Sequence, residues 1–389
     1  MPPFTPDFQL EGEGQTEQFR DTVRHMVRRE YHRQQKEDQA AFLFGKPVLT
    51  LVLLSVILAV FALMELRGSS MATTTLVEMG AKFDPLILEG EWWRFFSSMF
   101  LHIGFFHLFM NSLALYFLGT AVERIFGSLR FLWIYAAAGL SGSIASFVFN
   151  DNISAGASGA IFGLFGALLY FGLIKRRLFF RTFGMSVVII LIINLTFGFL
   201  VPMVDNGAHI GGLAGGFAAA AAAGLPGRGV HVSQPLSLAV GLAAGLFLWN
   251  IGFSQEVEGG QLQAVYYELG RESAEAGRAE AAERYLQQVL DMPSDGEGPI
   301  PQDMLESNAY FLLASLEIDQ ENLDNASELL DAAVSIRDDF HEAYYNLAVI
   351  AYEQGDMDEA ERYIEEALRL ETDEQYEELQ DDIEAQQAS

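Results

Sequence analysis

The chain has 389 residues, of which 51% are hydrophobic, yet it carries a formal net charge of −29. This length is sufficient for two domains, and the two properties are compatible only if the charge is concentrated in one of them. Residues 255–389 contain 36 acidic and 6 basic residues, a net charge of −30. Because the chain has no cysteine, disulfides, thiolate metal sites and cysteine nucleophiles are excluded. We therefore expect a nearly neutral hydrophobic domain followed by an acidic soluble one.

Residues 1–46 precede the first hydrophobic run and are predicted to form a basic cytoplasmic tail. They are not a cleavable signal, because about 45 polar residues come before the apolar run and no small-residue cleavage site follows it. Apolar side chains recur at helical spacing among the arginines of this tail. These are Phe19, Val23, Met26, Val27 and Tyr31. The pattern suits a helix on an anionic leaflet, and a disordered topogenic tail is the alternative.

Residues 47–254 are predicted to form a membrane domain with seven spans. Each hydrophobic run is close to the ~20 residues that cross a bilayer. The runs lie at 48–66, 96–119, 131–150, 158–174, 184–202, 208–225 and 235–253. Lysine and arginine are concentrated in the tail and in the loops after the second, fourth and sixth spans, whereas the loops after the third and fifth have none. The positive-inside rule therefore predicts a cytoplasmic N-terminus and an extracytoplasmic acidic domain.

A serine between small residues begins the fourth span, in the stretch "NISAGASGAIFGLFGALL" from Asn152. If Ser158 is a nucleophile, it needs a base, and the sixth span supplies His209 in "GAHIGGLAGGF". Glycines flank both groups at small-x-x-x-small spacing, which lets two helix backbones approach closely enough for a Ser–His hydrogen bond. The glycines are Gly159 and Gly163 beside the serine and Gly212 and Gly216 beside the histidine. Helix packing with an incidental serine is the alternative.

The second span offers donors for an oxyanion. His107 and Asn111 are four residues apart and therefore share one helical face. Both side chains can donate a hydrogen bond to a developing negative charge, and the backbone N–H of Ser158 at a helix start adds a third donor. His102 lies about 140° further round the helix, so we interpret it as a structural residue that bonds to loop backbone.

Together these motifs resemble the rhomboid family of intramembrane serine proteases. The resemblance covers roughly residues 48–225 and depends on "GASG", the later "AHIGG", the preceding His-x4-His-x3-Asn, Trp93 and Arg94 before the second span, and "AVERIFGS" after it. It implies a six-helix core and a Ser158–His209 dyad without a third acid. We expect supporting roles for His102, Gly156, Gly159, Phe162, Gly212, Gly216, Trp93 and Arg94. Phe162 stands where some members have tyrosine, and its ring can still stack on His209. The resemblance implies membrane-protein substrates within the lipid bilayer, and no cofactor, metal or nucleic acid.

The acidic domain, residues 255–389, contains an internal repeat. Segments 310–334 and 344–368 align at a period of 34, and segment 266–290 aligns after an insertion, "PSDGEGPIPQ", of about ten residues. Ala282, Ala326 and Ala360 fall in register, so the segments are similar to tetratricopeptide repeats. Three helix pairs form a short solenoid with a peptide-sized concave surface, so we expect an extracytoplasmic peptide or protein ligand. A spacer that only solvates the C-terminus is the alternative.

The sequence thus predicts an all-α protein: a polytopic membrane helical bundle with a rhomboid-like six-helix core and a seventh span, followed by a soluble α-helical solenoid. The favoured function is intramembrane proteolysis with an extracytoplasmic docking module. A catalytically silent rhomboid-like scaffold that binds membrane proteins is the alternative, but a scaffold needs none of Ser158, His209, His107 and Asn111. A transporter is disfavoured because the chain has no inverted repeat and no buried ion-coupling carboxylate.

Overall fold

The computed structural model describes residues 13–41, 46–183, 185–201, 203–227, 229, 231–254, 259–292 and 300–387. Throughout these ranges the protein is helical, with no β-sheet and one isolated backbone bridge, so the all-α prediction is confirmed. The chain divides into two compact units. The first consists of Met1–Leu66, Gly80–Asp84 and Trp92–Gly252, and the second of Arg67–Met79, Pro85–Glu91 and Phe253–Ser389.

Thirteen helices are described between residues 13 and 252. They are α1 (Glu13–Ala41), α2 (Val48–Arg67), α3 (Thr73–Glu78), α4 (Asp84–Leu88), α5 (Arg94–Ser97), α6 (Gly104–Ala114), α7 (Thr120–Phe126), α8 (Ser128–Phe149), α9 (Ser158–Ile174), α10 (Arg176–Thr182), α11 (Ser186–Leu200), α12 (Asn206–Ala223) and α13 (Ser233–Gly252). A π-helical turn, Leu115–Gly119, joins α6 to α7. The five apolar residues of the tail lie on α1, with 36 to 63% of each side chain exposed.

Helices occupy all seven predicted hydrophobic runs. Among the described residues, α2, α6 with α7, α8 and α13 are long and apolar enough to cross a membrane, and the bent pair of α10 and α11 is a fifth candidate. Helix α9 is apolar but has 17 residues. It is buried without interruption from Gly159 to Leu168, so it is the central helix of the first unit. The number of crossings stays a prediction.

Glycine rows on α12 bring it against two neighbours at once. A Cβ on Gly212 would lie 2.0 Å from the Gly159 carbonyl oxygen of α9, and one on Gly216 would lie 2.2 Å from the Gly163 carbonyl oxygen. On another face, a Cβ on Gly211 would lie 2.4 Å from the Cβ of Ala145 on α8. These backbones therefore pack at distances that only glycine permits, and the position of α12 is fixed from both sides.

A buried carboxylate ties the start of α2 to the end of α7. Glu123 is 1% exposed. It accepts hydrogen bonds from the backbone N–H of Leu49 at 3.0 Å and of Thr50 at 2.8 Å, and from the hydroxyls of Thr50 at 2.7 Å and Ser128 at 2.6 Å. The two N–H groups belong to the first turn of α2, where no intrahelical acceptor exists. Glu123 thus caps α2 from 73 residues away.

The second unit contains three helix pairs and a final helix. They are α14 (Gly259–Glu275) with α15 (Ala279–Asp291), α16 (Gln302–Asp319) with α17 (Leu323–Ile336), α18 (His341–Gln354) with α19 (Met357–Leu370), and α20 (Glu374–Gln387). The three pairs match the three predicted repeats. Ala282, Ala326 and Ala360 are each 0% exposed, because a small side chain there lets the two helices of a pair approach closely.

Helix α20 lies beyond the predicted repeats and closes the last pair. Its Tyr376 is 6% exposed, stacks on Tyr345 with ring centroids 4.6 Å apart, and lies 3.0 Å from Nδ1 of His341. Ile383, about two turns further along the same face of the helix, is 1% exposed. This helix therefore covers an apolar surface that α18 and α19 would otherwise leave open, as a capping helix of a solenoid does. Most of the predicted insertion, residues 293–299, lies outside the described residues.

Candidate active site

Ser158 is the first residue of α9 and follows a loop whose backbone is tightly held. Gly156, two residues earlier, has φ of 145°, a conformation that favours glycine. Its N–H donates to the carbonyl oxygen of Ser98 at 2.9 Å, and a Cβ there would lie 2.7 Å from the His107 ring. Backbone conformation and lack of space therefore both require glycine, and the loop delivers Ser158 to the N-terminus of α9.

His209 lies in the first turn of α12 and is 8% exposed. Its ring stacks on Phe162 of α9, with centroids 4.0 Å apart and planes 14° from parallel. The Gly159–Gly212 contact holds the two helices together within one turn of both groups. Among the described residues, no hydrogen bond joins Ser158 to His209, and His209 Nδ1 is buried without a hydrogen-bond partner. The packing thus brings a serine-bearing and a histidine-bearing helix together and orients the imidazole by stacking.

The second-span residues lie beside the same loop. The rings of His102 and His107 are 5.2 Å apart. His102 is fully buried, and the backbone N–H of Ala157 points at its Nε2 from 3.5 Å. Asn111 is 6% exposed and donates one amide N–H to the His107 carbonyl oxygen at 3.0 Å. An asparagine amide has two N–H groups, so this bond orients the side chain and leaves a second donor.

A cavity of about 20 Å³ opens beside the serine, enough for one water molecule. Its lining includes Ser98, Ser143, Ser154, Gly156, Ser158 and Ala208. Hydroxyl and backbone groups therefore line the space beside the nucleophile candidate. Within the described part of the chain, no three His, Asp or Glu side chains converge as metal ligands would.

Trp93 and Arg94 lie at the start of α5, away from the cavity lining. The guanidinium of Arg94 lies 4.8 Å from the centre of the Trp93 ring and donates to the Ala81 carbonyl oxygen at 3.1 Å. Arg94 is 4% exposed, whereas half of Trp93 is exposed. A Cβ on Gly80 would lie 2.3 Å from that indole ring. The pair therefore fixes the course of residues 80–82.

Lys82 holds the loop before Ser158, and sequence reasoning missed it. The side chain is 1% exposed, and its ammonium lies 2.7 Å from one oxygen of Asp84 and 3.0 Å from the other. It also donates to the carbonyl oxygens of Asn150 and, at 3.3 Å, Asn152. The backbones of Lys82 and Ser154 form a bridge, with N···O distances of 2.9 and 3.0 Å. A buried cation thus ties the 150–154 loop to residues 80–84.

Asp205 ties residues 146–154 to the helix that carries His209. Its carboxylate accepts from the backbone N–H of Ala208 at 2.8 Å, which caps α12, and from the hydroxyl of Ser146. Burial alone would raise the pKa of Asp205. Hydrogen bonds from Ser146, the Ala208 amide, Ser154 and Asn150 outweigh burial and hold that pKa below its ordinary value. The carboxylate therefore acts as a cap and tether.

The Lys82–Asp84 pair gives a pH-dependent prediction. Lys82→Met leaves a buried carboxylate without its cation, so at pH 8 we expect it to cost about 3–5 kcal/mol of stability. Burial raises the pKa of Asp84 from its ordinary 3.8 to about 6, against the opposing effect of Lys82. The folded chain therefore binds the proton of the Asp84 carboxyl more tightly than the unfolded chain does. As a result, the contribution of Asp84 to stability falls as pH rises from about 3.8 to about 6.

At pH 5 the Asp84 carboxyl is largely neutral, so the variant should lose less stability there than at pH 8. Melting temperatures in detergent at the two pH values measure this difference. Lys175→Met removes an exposed lysine and is the matched control, expected to leave both melting temperatures unchanged. An equal loss for Lys82→Met at both pH values would contradict the assigned pairing.

Known proteins resemble both the membrane helices and the repeats of this chain. A rhomboid domain model matches residues 89–225, and a tetratricopeptide repeat model matches residues 267–339 and 311–375. Rhomboid protease GluP of Bacillus subtilis (strain 168) is 43% identical over 315 residues, which cover 80% of this chain and 59% of GluP. Putative rhomboid protease YdcA of the same strain is 38% identical over 133 residues, 34% of this chain and 67% of YdcA. RHOMBOID-like protein 5 of Arabidopsis thaliana is 40% identical over 148 residues, 37% of this chain and 48% of that protein.

The similarity to GluP reaches beyond the rhomboid domain, because it covers four fifths of the chain, although the chain spans only about three fifths of the length of GluP. The predicted combination of a rhomboid-like domain with tetratricopeptide repeats is confirmed by the two domain matches. The apolar helices and the rhomboid relatives together indicate a multi-pass membrane protein. The chain belongs to the rhomboid family and carries tetratricopeptide repeats after its rhomboid domain.

Proposed function

We propose that the chain is an intramembrane serine endopeptidase that cleaves transmembrane segments of membrane proteins by a Ser158–His209 dyad. The observation that carries this proposal is the contact between Gly159 and Gly212, which holds the start of α9 against the first turn of α12. Ser158 and His209 are each within three residues of that contact. The similarity to proteins described as rhomboid proteases supports the same chemistry.

In the proposed reaction, Ser158 Oγ attacks a peptide carbonyl carbon while His209 takes its proton. The tetrahedral intermediate collapses, the C–N bond breaks, and His209 gives the proton to the leaving amine. A water molecule then attacks the acyl carbon while His209 takes its proton. The bond between that carbon and Ser158 Oγ breaks, His209 returns the proton to Oγ, and the carboxyl product leaves. The cavity beside Ser158 supports this last step, because it has room for one water molecule among hydroxyl groups.

Three donors are proposed to hold the negative charge on the carbonyl oxygen. They are the side chains of His107 and Asn111 and the backbone N–H of Ser158. The N-terminus of α9 adds a favourable dipole, and the Ser158 N–H is one of the groups that no intrahelical acceptor satisfies. In a low-dielectric site such donors stabilise the oxyanion strongly.

The substrate backbone must unwind before it reaches Ser158, because a peptide bond within a helix is sterically closed and hydrogen-bonded. Transmembrane segments with small or helix-breaking residues near the cleaved bond are therefore the expected class of substrate. The proposed site needs no cofactor, since acid–base and nucleophilic chemistry come from side chains alone.

The proposal is tested with purified protein and a labelled single-span substrate in liposomes. Wild type should release two fragments, and Ser158→Ala should release none. A Ser158→Ala preparation that cleaves at the wild-type rate would exclude this serine as the nucleophile. A wild type that binds but never cleaves substrates with flexible transmembrane segments would favour the silent scaffold instead.

The proposed oxyanion donors and His102 are expected to differ in what their loss changes, turnover or stability. Loss of one donor typically lowers turnover by about 10²–10³-fold. We therefore expect His107→Ala or Asn111→Ala to reduce kcat by this factor with little change in KM. His102 is fully buried against the Ala157 backbone, so His102→Ala should act mainly by lowering the melting temperature. If His102→Ala keeps its melting temperature yet loses as much kcat as Asn111→Ala, this division of roles is wrong.

We also propose that the repeats dock substrates or an adaptor on the extracytoplasmic side, with the N-terminus in the cytoplasm. Tetratricopeptide repeats mediate protein interactions, and the net charge of −30 in residues 255–389 favours a basic ligand. Truncation after Phe253 should preserve cleavage of a short generic substrate and weaken cleavage of substrates with extracytoplasmic segments at low concentration. Equal losses on both substrates would contradict the docking role, and a C-terminus shielded from protease in intact cells would contradict the orientation.

A further inference from the structure

The second unit contains a segment that lies far from the repeats in sequence. Residues Arg67–Met79 and Pro85–Glu91, which follow α2, group with the repeats rather than with the membrane helices. Helix α3 lies in this segment, and its N-cap position is Ala72, whose side chain cannot accept a hydrogen bond. The carboxylate of Glu272 on α14 accepts from the N–H groups of Thr73 at 2.9 Å and Thr74 at 3.1 Å. The first repeat thus caps α3 from about 200 residues away.

Opposite charges join the other end of α3 to the same repeat. Glu78, the last residue of α3, lies 3.5 Å from the guanidinium of Arg278 and 4.0 Å from that of Arg284. Arg278 also donates to the hydroxyl of Thr74. Residues 255–389 have only six basic residues against 36 acidic ones, so two of these six face a single loop carboxylate. The net negative charge of the acidic domain would repel Glu78, so its position there depends on these two arginines.

Helix α3 is buried, and a further hydrogen bond joins its segment to the first repeat. Thr74, Thr75, Leu76 and Val77 are each at most 4% exposed. The hydroxyl of Tyr266 on α14 donates to the carboxylate of Glu89 at 3.2 Å. A helix of six residues is too short to be stable in water by itself, so its order depends on what packs against it. The contact therefore combines a helix cap, ion pairs and a tyrosine–carboxylate hydrogen bond.

We infer that the first helix pair of the repeats, α14 and α15, is a receptor for the segments Arg67–Met79 and Pro85–Glu91 of the same chain. The loop occupies the pair as an intramolecular ligand at high effective concentration. The remaining repeats stay available for another protein. This inference goes beyond the proposed proteolysis and does not depend on it.

One consequence concerns topology. The loop that follows α2 and the repeats that follow α13 must lie on the same side of the membrane, whichever side that is. Six of the predicted spans separate the two segments, and an even number of crossings returns the chain to the same side. The observed contact and the predicted number of spans therefore independently place the two segments on the same side of the membrane.

The absence of cysteine in the chain makes the contact directly testable by crosslinking. In the full-length protein, Glu78→Cys combined with Arg278→Cys should give an intrachain crosslink with a short bis-maleimide, detected as a linked peptide by mass spectrometry. Glu78→Cys combined with Arg369→Cys is the matched control, because Arg369 is exposed on α19 of the third pair. The control should crosslink at least tenfold less. Equal crosslinking of the two pairs, or none in either, would overturn the inference.

A second measurement leaves the contact residues intact. Met71→Cys in the loop and Glu374→Cys on α20 are exposed positions outside the pairing described. A membrane-impermeant maleimide should treat the two cysteines alike. Either both are labelled in intact cells, or both are labelled only after the cells are permeabilised. Labelling of one without the other would place the two segments on opposite sides and overturn the inference. Neither readout uses cleavage. An inactive protein that crosslinks would therefore refute the protease proposal alone, and an active protein that does not crosslink would refute only the contact between the loop and the first helix pair.

Discussion

Replacement of Ser158 by alanine, or of His209 by alanine, is expected to reduce peptide-bond cleavage to background. The serine supplies the only proposed nucleophile, and the histidine supplies its base and the proton for the leaving amine. Ser158→Ala removes one partly buried hydroxyl and should leave the melting temperature near that of wild type. His209→Ala also removes the ring that stacks on Phe162, so we expect a lower melting temperature for this variant.

The double variant distinguishes a dyad from two independent residues. Groups that act as one unit give strongly non-additive losses, so Ser158→Ala with His209→Ala should be no slower than either single variant. Turnover of purified proteins on a labelled single-span substrate measures the three losses. His209→Phe is a useful companion, because it keeps an aromatic ring beside Phe162 without a base. A His209→Phe protein that melts like wild type and still cleaves would show that His209 is not the base.

The sequence was sufficient to predict the class of fold because that class depends on local patterns. Hydrophobic runs of about 20 residues, a 34-residue repeat and in-register alanines are visible without coordinates, and the structure has helices at each of these places. The glycine spacing beside Ser158 and His209 was also informative, since small residues four apart predict close helix contact. The structure adds which backbones meet, namely Gly159 with Gly212 and Gly163 with Gly216.

The groups that hold the site in place could not be predicted in this way. Lys82 is one lysine in the stretch "GAKFDP", and nothing local distinguishes it from a solvated loop residue. Its importance comes from carbonyl groups 68 and 70 residues later in the chain. Asp205 lies four residues before His209, and its partners are the N-terminus of α12 and Ser146, 59 residues earlier in the chain. Such long-range satisfaction of buried polar groups leaves no periodic trace in sequence.

The same reason explains why the loop contact was not foreseen. Glu272 and Glu78 are two acidic residues among 52, and the sequence gives no sign that one caps α3 and the other pairs with Arg278. The acidic domain was predicted as a separate module because its composition changes abruptly near residue 255. Composition reports where a module begins along the chain, but it does not report which distant segment folds with it.

The glycine contact between α9 and α12 gives the second large prediction. A Cβ on Gly212 would lie 2.0 Å from the carbonyl oxygen of Gly159 and 2.7 Å from its carbonyl carbon. Both are backbone atoms and cannot rotate away, so Gly212→Ala must push the helices apart. We expect a loss of about 1–3 kcal/mol in stability, the usual effect of overpacking. A displacement of ~1 Å between Ser158 and His209 would also lower turnover by about 10²-fold in molecules that remain folded.

Gly245→Ala on α13 is the matched control, because a Cβ there meets nothing within 4 Å. It makes the same chemical change in a helix of the same unit, so any general effect of alanine on a membrane helix appears in both variants. We expect its melting temperature and turnover to stay at wild-type values. Thermal unfolding and turnover below the melting temperature, measured for both variants in the same detergent, separate loss of fold from loss of geometry. If Gly212→Ala cleaves and melts like Gly245→Ala, then close approach of α9 and α12 is not what brings the proposed dyad together.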